Sequence, residues 1–248
     1  MEYAMISAPA APVRRKARHS SEMVNQLLFG EVVQVLRRKN ELWVRVKSLH
    51  DGYEGWLTTT LIDPLKEYLP SPQQIISAEL LSRIQLGERI MHIPFGSLLS
   101  TLNNEDYAFG GRVMKPGLAP PSVMQLCELA LTWLNVPYLW GGRTPLGIDC
   151  SGLVQVLFST QGIFLPRDAW QQAQSGTLVK KFRDAKPGDL LFFDEKEEIV
   201  HVGILVEPGV MIHSSGRVRL DPVDKKGMVN AEIRSRKLKL QMIRRHFA

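Results

Sequence analysis

The chain has 248 residues and a net charge of +6, with 44% hydrophobic and 23% charged residues. This composition is typical of a soluble globular protein of one or two domains, and it excludes a disordered or fibrous chain. Its two cysteines are too few for a disulfide scaffold. The first residues do not resemble a secretory signal, and no segment reaches the roughly 18 apolar residues of a membrane span, so we expect a cytoplasmic protein.

The N-terminal residues predict a small β-barrel. Segments 32–36 and 42–46 are rich in β-branched residues, and a glycine-containing turn at 51–55 leads into another strand. Short strands at close spacing, without a helical period, favour a barrel. Because prolines interrupt the pattern near residue 70, we assign this barrel to residues 1–70.

The next segment, residues 71–118, has a weaker pattern. It predicts a short helix over 75–84 and a strand over 89–93, followed by a turn-rich stretch. We interpret this segment as a β-rich linker or an extension of the barrel.

Beyond residue 118 the pattern predicts helices followed by strands. Ser122 is a suitable N-cap for a helix that reaches Asn135, and a second helix extends from Cys150 to Thr160. Strands are predicted at 189–194, 200–207 and 209–214. Helices first and antiparallel strands afterwards are typical of an α+β fold, which we assign to residues 119–248.

The C-terminal segment 225–248 carries eight basic residues against one acidic residue, Glu232, and therefore a net charge of +7. Such a tail can contact nucleic acid or a membrane surface. Residues 236–243, however, alternate with a period of about two, which is typical of an exposed edge strand protected by lysines. The sequence contains no nucleic-acid motif, so we favour the edge strand and expect no nucleic-acid partner.

Cys150 lies where a loop becomes a helix. The helix dipole and the unpaired N–H groups at that position favour a thiolate, which is the form that attacks a carbonyl. The alternative is a small buried apolar residue, the usual role of a free cysteine. Cys127 lies within a predicted helix with no activating neighbour, so we expect it to be structural.

His201 and His213 lie in two strands that are predicted to form a hairpin. A hairpin centred on Glu207 would pair them directly on one face, with Cβ atoms roughly 5 Å apart. His213 could then bind one ring nitrogen of His201 and leave the other for a thiol, as in a nucleophile–base–orienter triad. The alternative is that both histidines are structural.

Cysteine, histidine and aspartate could instead form a zinc site. Such sites usually have ligand pairs at short spacing, as in Cys-x-x-Cys or His-Glu-x-x-His, and neither pattern occurs here. We therefore expect no metal and no other cofactor.

Five segments of the second half resemble the NlpC-type papain-like peptidases, which act on bacterial cell-wall peptides. They occur in the family's order at 138–154, 165–168, 186–193, 201–204 and 212–215, and Cys150 lies in the first. Segments 21–26 and 51–56 are similar to the bacterial SH3-like domain that precedes the catalytic domain in one branch. The resemblance implies a papain-like domain, with helices packed on an antiparallel sheet, after a small SH3-like β-barrel.

The resemblance also implies an activity, hydrolysis of the amide bond between γ-D-glutamate and an L-diamino acid, usually diaminopimelate, in murein peptides. By position, Cys150 is the nucleophile, His201 the general base and then acid, and His213 the residue that orients His201. Tyr138 approaches the oxyanion site with its hydroxyl, beside the Cys150 backbone N–H.

In the branch with the SH3-like domain, the substrate carries a free N-terminal L-alanine. The resemblance implies that Asp168, Glu22 and Tyr53 hold its ammonium, with Asp149 nearby. This fits the chemistry, because a desolvated ammonium needs several acceptors and a counter-charge. Asp168 is followed by Ala169 where related enzymes can have serine, which removes one hydrogen bond.

Two further residues are assigned to the substrate site. Ser151 follows the nucleophile, and Arg167 either pairs with a substrate carboxylate or forms a structural ion pair.

The implied role is the recycling of murein peptides, because free N-terminal alanine is absent from intact wall. One alternative is a thiol acyltransferase or amidase on the same scaffold. Another is a catalytically silent protein that binds murein peptides. The sequence determines neither the diamino acid nor the oligomeric state.

Overall fold

The computed structural model describes residues 2–102, 106–230 and 235–247. The chain divides into two compact units, of which the first contains Met1–Leu118 and Trp140–Pro145. The second unit contains Ala119–Leu139 and Leu146–Ala248. Within the described ranges, no helix is both long and apolar enough to cross a membrane.

The main part of the first unit is an antiparallel sheet of seven strands in the order β3-β2-β6-β5-β4-β1-β7. These strands are β1 (Glu2–Ile6), β2 (Ala10–Arg14), β3 (Met23–Leu28), β4 (Val32–Arg38), β5 (Trp43–Ser48), β6 (Glu54–Thr58) and β7 (Ile62–Leu65). The core is formed by side chains that alternate along each strand between buried and exposed positions. In β5, Val44 and Val46 are buried, while Arg45 and Lys47 are exposed.

The segment 71–118 is β structure in the first unit. Its strands are β8 (Ile76–Ser77), β9 (Leu81–Leu86), β10 (Arg89–Pro94), β11 (Tyr107–Gly110) and β12 (Val113–Met114). They form a sheet β10-β9-β11 and a pair β12-β8. The strand predicted over 89–93 is confirmed, but the helix predicted over 75–84 is wrong. Exposed and buried residues alternate there, with Ser82 and Ile84 buried, which is the period of a strand.

A short strand, β13 (Arg143–Thr144), belongs to the first unit although it lies late in the chain. The Arg143 guanidinium donates to both carboxylate oxygens of Glu31, at 3.0 and 2.9 Å, and both side chains are buried. The Arg143 backbone N–H also donates to the Gln26 side chain at 3.0 Å. This bidentate pair anchors segment 140–145.

In its described residues, the second unit contains three short α-helices and eight strands. They are α1 (Val123–Leu131), β14 (Gly147–Ile148), α2 (Cys150–Thr160), α3 (Ala169–Gln172), β15 (Thr177–Leu178), β16 (Leu190–Glu195), β17 (Glu198–Glu207), β18 (Val210–Ser215), β19 (Arg217–Asp224), β20 (Gly227–Asn230) and β21 (Ser235–Arg245). The predicted N-cap Ser122 is confirmed, since its side chain accepts from the Gln125 N–H, but α1 ends at Leu131 rather than Asn135. The bounds predicted for α2 are confirmed.

The sheet of the second unit is antiparallel as predicted, but it closes on itself. Its order is β15-β21-β16-β17-β18-β19-β20, and β20 also pairs with β21, so that β16–β21 form a six-stranded barrel. Helix α2 packs against β17 and β18. The expected simple layer of helices on a sheet is therefore replaced by short helices beside a barrel.

The basic C-terminal segment is a strand, as its alternation predicts, but it is not an edge strand. Strand β21 pairs with β15, β16 and β20, because its buried Ile243 joins the barrel core with Leu191 and Met211. Glu232 and Arg234 lie outside the described residues.

Candidate active site

Cys150 is the first residue of α2, and the residue before it caps that helix. The Asp149 carboxylate accepts a hydrogen bond from the Gly152 N–H at 2.7 Å. The turn before α2 is fixed by the Ile148 carbonyl, which accepts from the Ser214 hydroxyl of β18 at 2.7 Å. The local sequence therefore places the sulfur at a helix N-terminus beside the barrel.

The pKa of the Cys150 thiol is raised, which favours its neutral form, contrary to the expected thiolate. Burial, together with the negative charge of Asp149, raises its pKa to about 12. The backbone N–H groups of Val202 and Ser151 lower the pKa by hydrogen bonding to the sulfur, but burial dominates. Because Val202 directly follows His201, the same contact locates the sulfur beside that histidine's strand.

His201 and His213 form a direct hydrogen bond inside the second unit. His201 Nε2 lies 2.7 Å from His213 Nδ1, and the ring centroids are 4.9 Å apart with nearly perpendicular planes. Both residues are buried. The predicted contact between the two rings is confirmed, and it leaves His201 Nδ1 as the nitrogen that can face a thiol.

The register that brings the rings together differs from the prediction by two residues. Ile204 pairs with Ile212 and Leu205 with Met211, and the ladder shifts before Glu207 pairs with Val210. A Cβ atom added to Gly203 would lie 3.1 Å from the His213 Cβ, so the residue that faces His213 is Gly203. A shift of two residues keeps the histidines on one face, and their rings meet diagonally.

Both imidazoles are held in the neutral form. Burial, together with the neighbouring His213, lowers the pKa of His201 to about 3. Burial also lowers the pKa of His213, although a hydrogen bond to Asp221 acts in the opposite direction. The site therefore contains a neutral thiol near neutral histidines, an arrangement in which a proton can pass from the sulfur to His201.

Asp221 was not found from the sequence. Its Oδ2 lies 3.1 Å from His213 Nε2, and Asp221 is buried. The Arg219 guanidinium donates to the other carboxylate oxygen, Oδ1, at 2.8 and 3.3 Å. A signal existed, because a tight hairpin at Gly216 pairs His213 with Arg219 and brings Asp221 to the same face.

Tyr138 lies in the loop before α2. Its backbone N–H donates to the Gly216 carbonyl at 2.9 Å, and it forms a parallel bridge with Ile148. Burial raises the pKa of its hydroxyl above the ordinary value, and the nearby Cys150 and Asp149 raise it further. The hydroxyl therefore keeps its proton at neutral pH.

Asp149, Ser151 and Arg167 form a buried cluster at the start of α2. Arg167 donates to both oxygens of Asp149, at 3.0 and 2.6 Å, and to the Ser151 hydroxyl at 2.9 Å. The Arg167 side chain is 1% exposed. Of the two roles open to Arg167, the structure has the internal ion pair, because its guanidinium is buried among these partners.

Asp168 is half-buried and is the N-cap residue of α3. Its backbone N–H donates to the Gln171 side chain at 3.1 Å. This bond fixes the backbone of Asp168 at the start of α3.

Glu22 and Tyr53 belong to the first unit. Glu22 forms an ion pair with Arg15 at 3.0 Å and accepts from the Trp140 indole N–H at 3.0 Å. Tyr53 is half-buried, and its backbone N–H donates to Asp51 at 3.0 Å. Their joint action with Asp168 on one ammonium stays a prediction.

Cys127, the other cysteine, lies in α1 and is half-buried. Burial raises the pKa of its thiol. Among the described residues, no group of three or more His, Cys, Asp or Glu side chains is arranged to hold a metal ion.

Comparisons with known proteins agree with this geometry. Residues 135–237 match the NlpC/P60 family, and residues 13–62 match the bacterial dipeptidyl-peptidase Sh3 domain. The chain is 35% identical to gamma-D-glutamyl-L-lysine dipeptidyl-peptidase of Bacillus subtilis (strain 168), over 76% of this chain and 71% of that protein. A protein of the same name from Bacillus cereus is 24% identical over 79% of this chain and 68% of its own length.

Solved structures share the fold. The crystal structure of an NlpC/P60 family protein from Bacillus cereus has a TM-score of 0.83 at 20% identity, covering 99% of this chain and 100% of that chain. The matched family segment contains Tyr138, Cys150, His201 and His213. The chain belongs to the NlpC/P60 family of cell-wall peptidases, with an N-terminal bacterial SH3 domain, and it is a cysteine endopeptidase.

Proposed function

We propose that the protein hydrolyses the γ-D-glutamyl–L-diamino acid bond of murein peptides that begin with a free L-alanine. Cys150 is the nucleophile, His201 the general base and then acid, and His213 the residue that orients His201. The buried His201–His213 hydrogen bond of 2.7 Å, beside the strand residue whose N–H meets the Cys150 sulfur, is the observation that carries the proposal.

In the first half of the reaction, His201 Nδ1 takes the thiol proton as the sulfur attacks the γ-carbonyl carbon. A neutral imidazole can accept that proton, and a pKa of about 3 for His201 keeps it neutral at physiological pH. The developing oxyanion receives hydrogen bonds from the Cys150 N–H and the Tyr138 hydroxyl, which its raised pKa keeps protonated.

In the second half, the tetrahedral intermediate collapses and the C–N bond breaks. His201 donates its proton to the leaving amine of the diamino acid, and a γ-glutamyl thioester remains on Cys150. Water then attacks the thioester while His201 accepts a proton, releasing L-Ala-γ-D-Glu and restoring the thiol.

The free amine is recognised by carboxylates. Asp168, with Glu22 and Tyr53 as further acceptors, holds the ammonium of the N-terminal alanine. Asp149 and Ser151 contribute to this recognition from the start of α2. Arg167 donates hydrogen bonds to both side chains there. This recognition suits an enzyme that recycles released peptides in the cytoplasm, because the amine is blocked in intact wall.

Cleavage of three synthetic peptides tests the proposal. L-Ala-γ-D-Glu-L-Lys and its diaminopimelate analogue present the free amine, and N-acetyl-L-Ala-γ-D-Glu-L-Lys blocks it. We expect cleavage of a free peptide at the γ-glutamyl bond and at least about 100-fold lower kcat/KM for the acetylated peptide, corresponding to about 2.7 kcal/mol. Comparable rates on free and acetylated peptides would contradict the amine requirement.

The variant Asp168→Asn tests recognition of the free amine separately from cleavage of the amide bond. The variant should lose kcat/KM for the free peptides and leave the slow cleavage of the acetylated peptide unchanged. Equal losses on both would remove Asp168 from amine recognition. Transfer of the glutamyl group to an added amine, in preference to water, would favour an acyltransferase instead.

A further inference from the structure

The hydrogen-bond chain that starts at His201 does not end at His213. It continues from His213 Nε2 to Asp221 Oδ2 at 3.1 Å, and from Asp221 Oδ1 to Arg219 at 2.8 Å. His213 and Asp221 are each 1% exposed. The Asp221 carboxylate is buried and is bound by a guanidinium. It therefore has a fixed position in the hydrogen-bond chain.

The positions of the protons along these hydrogen bonds determine the tautomers of both histidines. An ionised carboxylate only accepts hydrogen bonds, so His213 Nε2 carries the proton. A neutral His213 then has an unprotonated Nδ1, which accepts the proton of His201 Nε2 at 2.7 Å. His201 Nδ1 is therefore unprotonated, which is the state it needs to remove the proton of a thiol.

Strand register explains why Asp221 reaches this position. His213 of β18 pairs with Arg219 of β19, and Asp221 lies two residues further on the same face. Arg219 binds the carboxylate by two donors, Nε and Nη2, which hold Oδ1 and direct Oδ2 to His213. The arrangement orients an acceptor rather than a donor toward the imidazole.

We propose that Asp221 is a positioning residue of the catalytic chain, fixing through His213 the tautomer in which His201 can act as general base. Arg219 orients Asp221 for that role. The inference rests on the proposed assignment of Cys150, His201 and His213. It adds a fourth member that touches neither substrate nor sulfur.

Asp221→Asn tests the role with little change in shape. The Arg219 donors favour the amide oxygen, so the amide NH₂ faces His213 Nε2 and donates to it. Both tautomers then reverse, and His201 Nδ1 carries a proton. We expect kcat to fall by about 10²–10⁴-fold with KM changed by less than about threefold, as a wrong tautomer does in a triad. An unchanged kcat would overturn the proposal.

Histidine ¹⁵N NMR reads the tautomers directly. In the wild-type protein at neutral pH we expect His201 and His213 both protonated at Nε2 and unprotonated at Nδ1. In Asp221→Asn we expect both protonated at Nδ1, a change that a purely structural role would not produce. The wild-type spectrum alone tests the assignment if the variant does not fold, and Nδ1 protonation there would overturn it.

Asp224→Asn is the matched control, because Asp224 ends the same strand but is exposed. It should retain the wild-type kcat and tautomers, and a loss equal to that of Asp221→Asn would contradict a specific role for Asp221. Failure of the proposed function would be distinct: no murein peptide would be cleaved by the wild-type protein, while its tautomers could still match the prediction.

Discussion

His201 is buried and its ring is neutral, because it lies in a barrel strand and its ring contacts a second buried histidine. The lowered pKa keeps the ring unprotonated at neutral pH, so one ring nitrogen has a lone pair available. The thiol beside it is also neutral, since burial outweighs the helix N-terminus. The ion pair of sulfur and imidazole therefore forms during the attack.

The pH dependence of stability tests the buried histidine. In the unfolded chain His201 binds a proton as the pH falls below 6.5, whereas the native protein does not until about pH 3. The contribution of His201 to the free energy of unfolding should therefore be retained above 6.5 and be lost as the pH is lowered, by about 1.4 kcal/mol per unit.

Denaturant unfolding of wild type and His201→Gln across this range gives the measurement. The variant should lose stability less steeply on acidification, by up to about 1.4 kcal/mol per unit. Parallel curves for the two proteins would contradict a neutral, buried His201.

The candidate catalytic residues could be identified from the sequence, because Cys150, His201 and His213 lie in recognisable local patterns. The ionisation state of the thiol could not, because it depends on burial and on Asp149, which only the fold defines. Asp221 was missed because its partner, His213, lies across the hairpin of β18 and β19. The local sequence pattern does not define the pairing of these two strands.

The start of α2 depends on a buried ion pair. Arg167 balances Asp149, the N-cap carboxylate directly before the nucleophile. Arg167→Met should destabilise the protein by about 3–5 kcal/mol, because it leaves a buried carboxylate without its guanidinium.

The double variant Asp149→Asn/Arg167→Met should recover at least about 1 kcal/mol of that loss, since asparagine also caps a helix and carries no charge. Arg45→Met removes an exposed pair with Glu54 and should cost less than about 1 kcal/mol. Chemical denaturation measures all three, and a double variant no more stable than Arg167→Met would contradict the account.

Strand β17 needs a glycine opposite His213. In Gly203→Ala the new methyl would lie 3.1 Å from the His213 Cβ, so the imidazole must shift. We expect kcat to fall about 10- to 100-fold, because small displacements of catalytic groups are costly. Gly110→Ala in β11 is the control, with its nearest neighbour at 3.8 Å. Steady-state kinetics test this expectation. A wild-type kcat for Gly203→Ala would contradict the claim that tight packing at this glycine positions His213.

Element types were predictable where the period was clear, as for α2 and β10. The hairpin register was not, because the turn is centred on Pro208 and Gly209 rather than on Glu207, so that Glu207 pairs with Val210. The ladder irregularity between Leu205 and Glu207 then shifts the pairing by one residue. The tail strand was predicted as an edge strand because its charges alternate with apolar residues. Closure of the barrel places it between partners, which no local pattern indicates.

At the scale of the whole molecule, the chain leaves the first unit at residue 118 and returns to it for residues 140–145 before reaching Cys150. The ion pair of Arg143 with Glu31 holds residues 140–145 in the first unit. Its two residues are 112 positions apart in the sequence. Sequence patterns are local and therefore could not reveal it. The first unit thus includes a segment that ends five residues before Cys150.

The central claim is that one sulfur atom breaks the γ-glutamyl bond, and the two cysteines allow a direct comparison. The rate of L-Ala-γ-D-Glu release should be measured for wild type, Cys150→Ala and Cys127→Ala, with thermal unfolding as a check on folding. We predict a loss of at least about 10³-fold for Cys150→Ala, an unchanged rate for Cys127→Ala, and cooperative unfolding of all three. A folded Cys150→Ala protein that released the dipeptide at a rate near wild type would contradict the account.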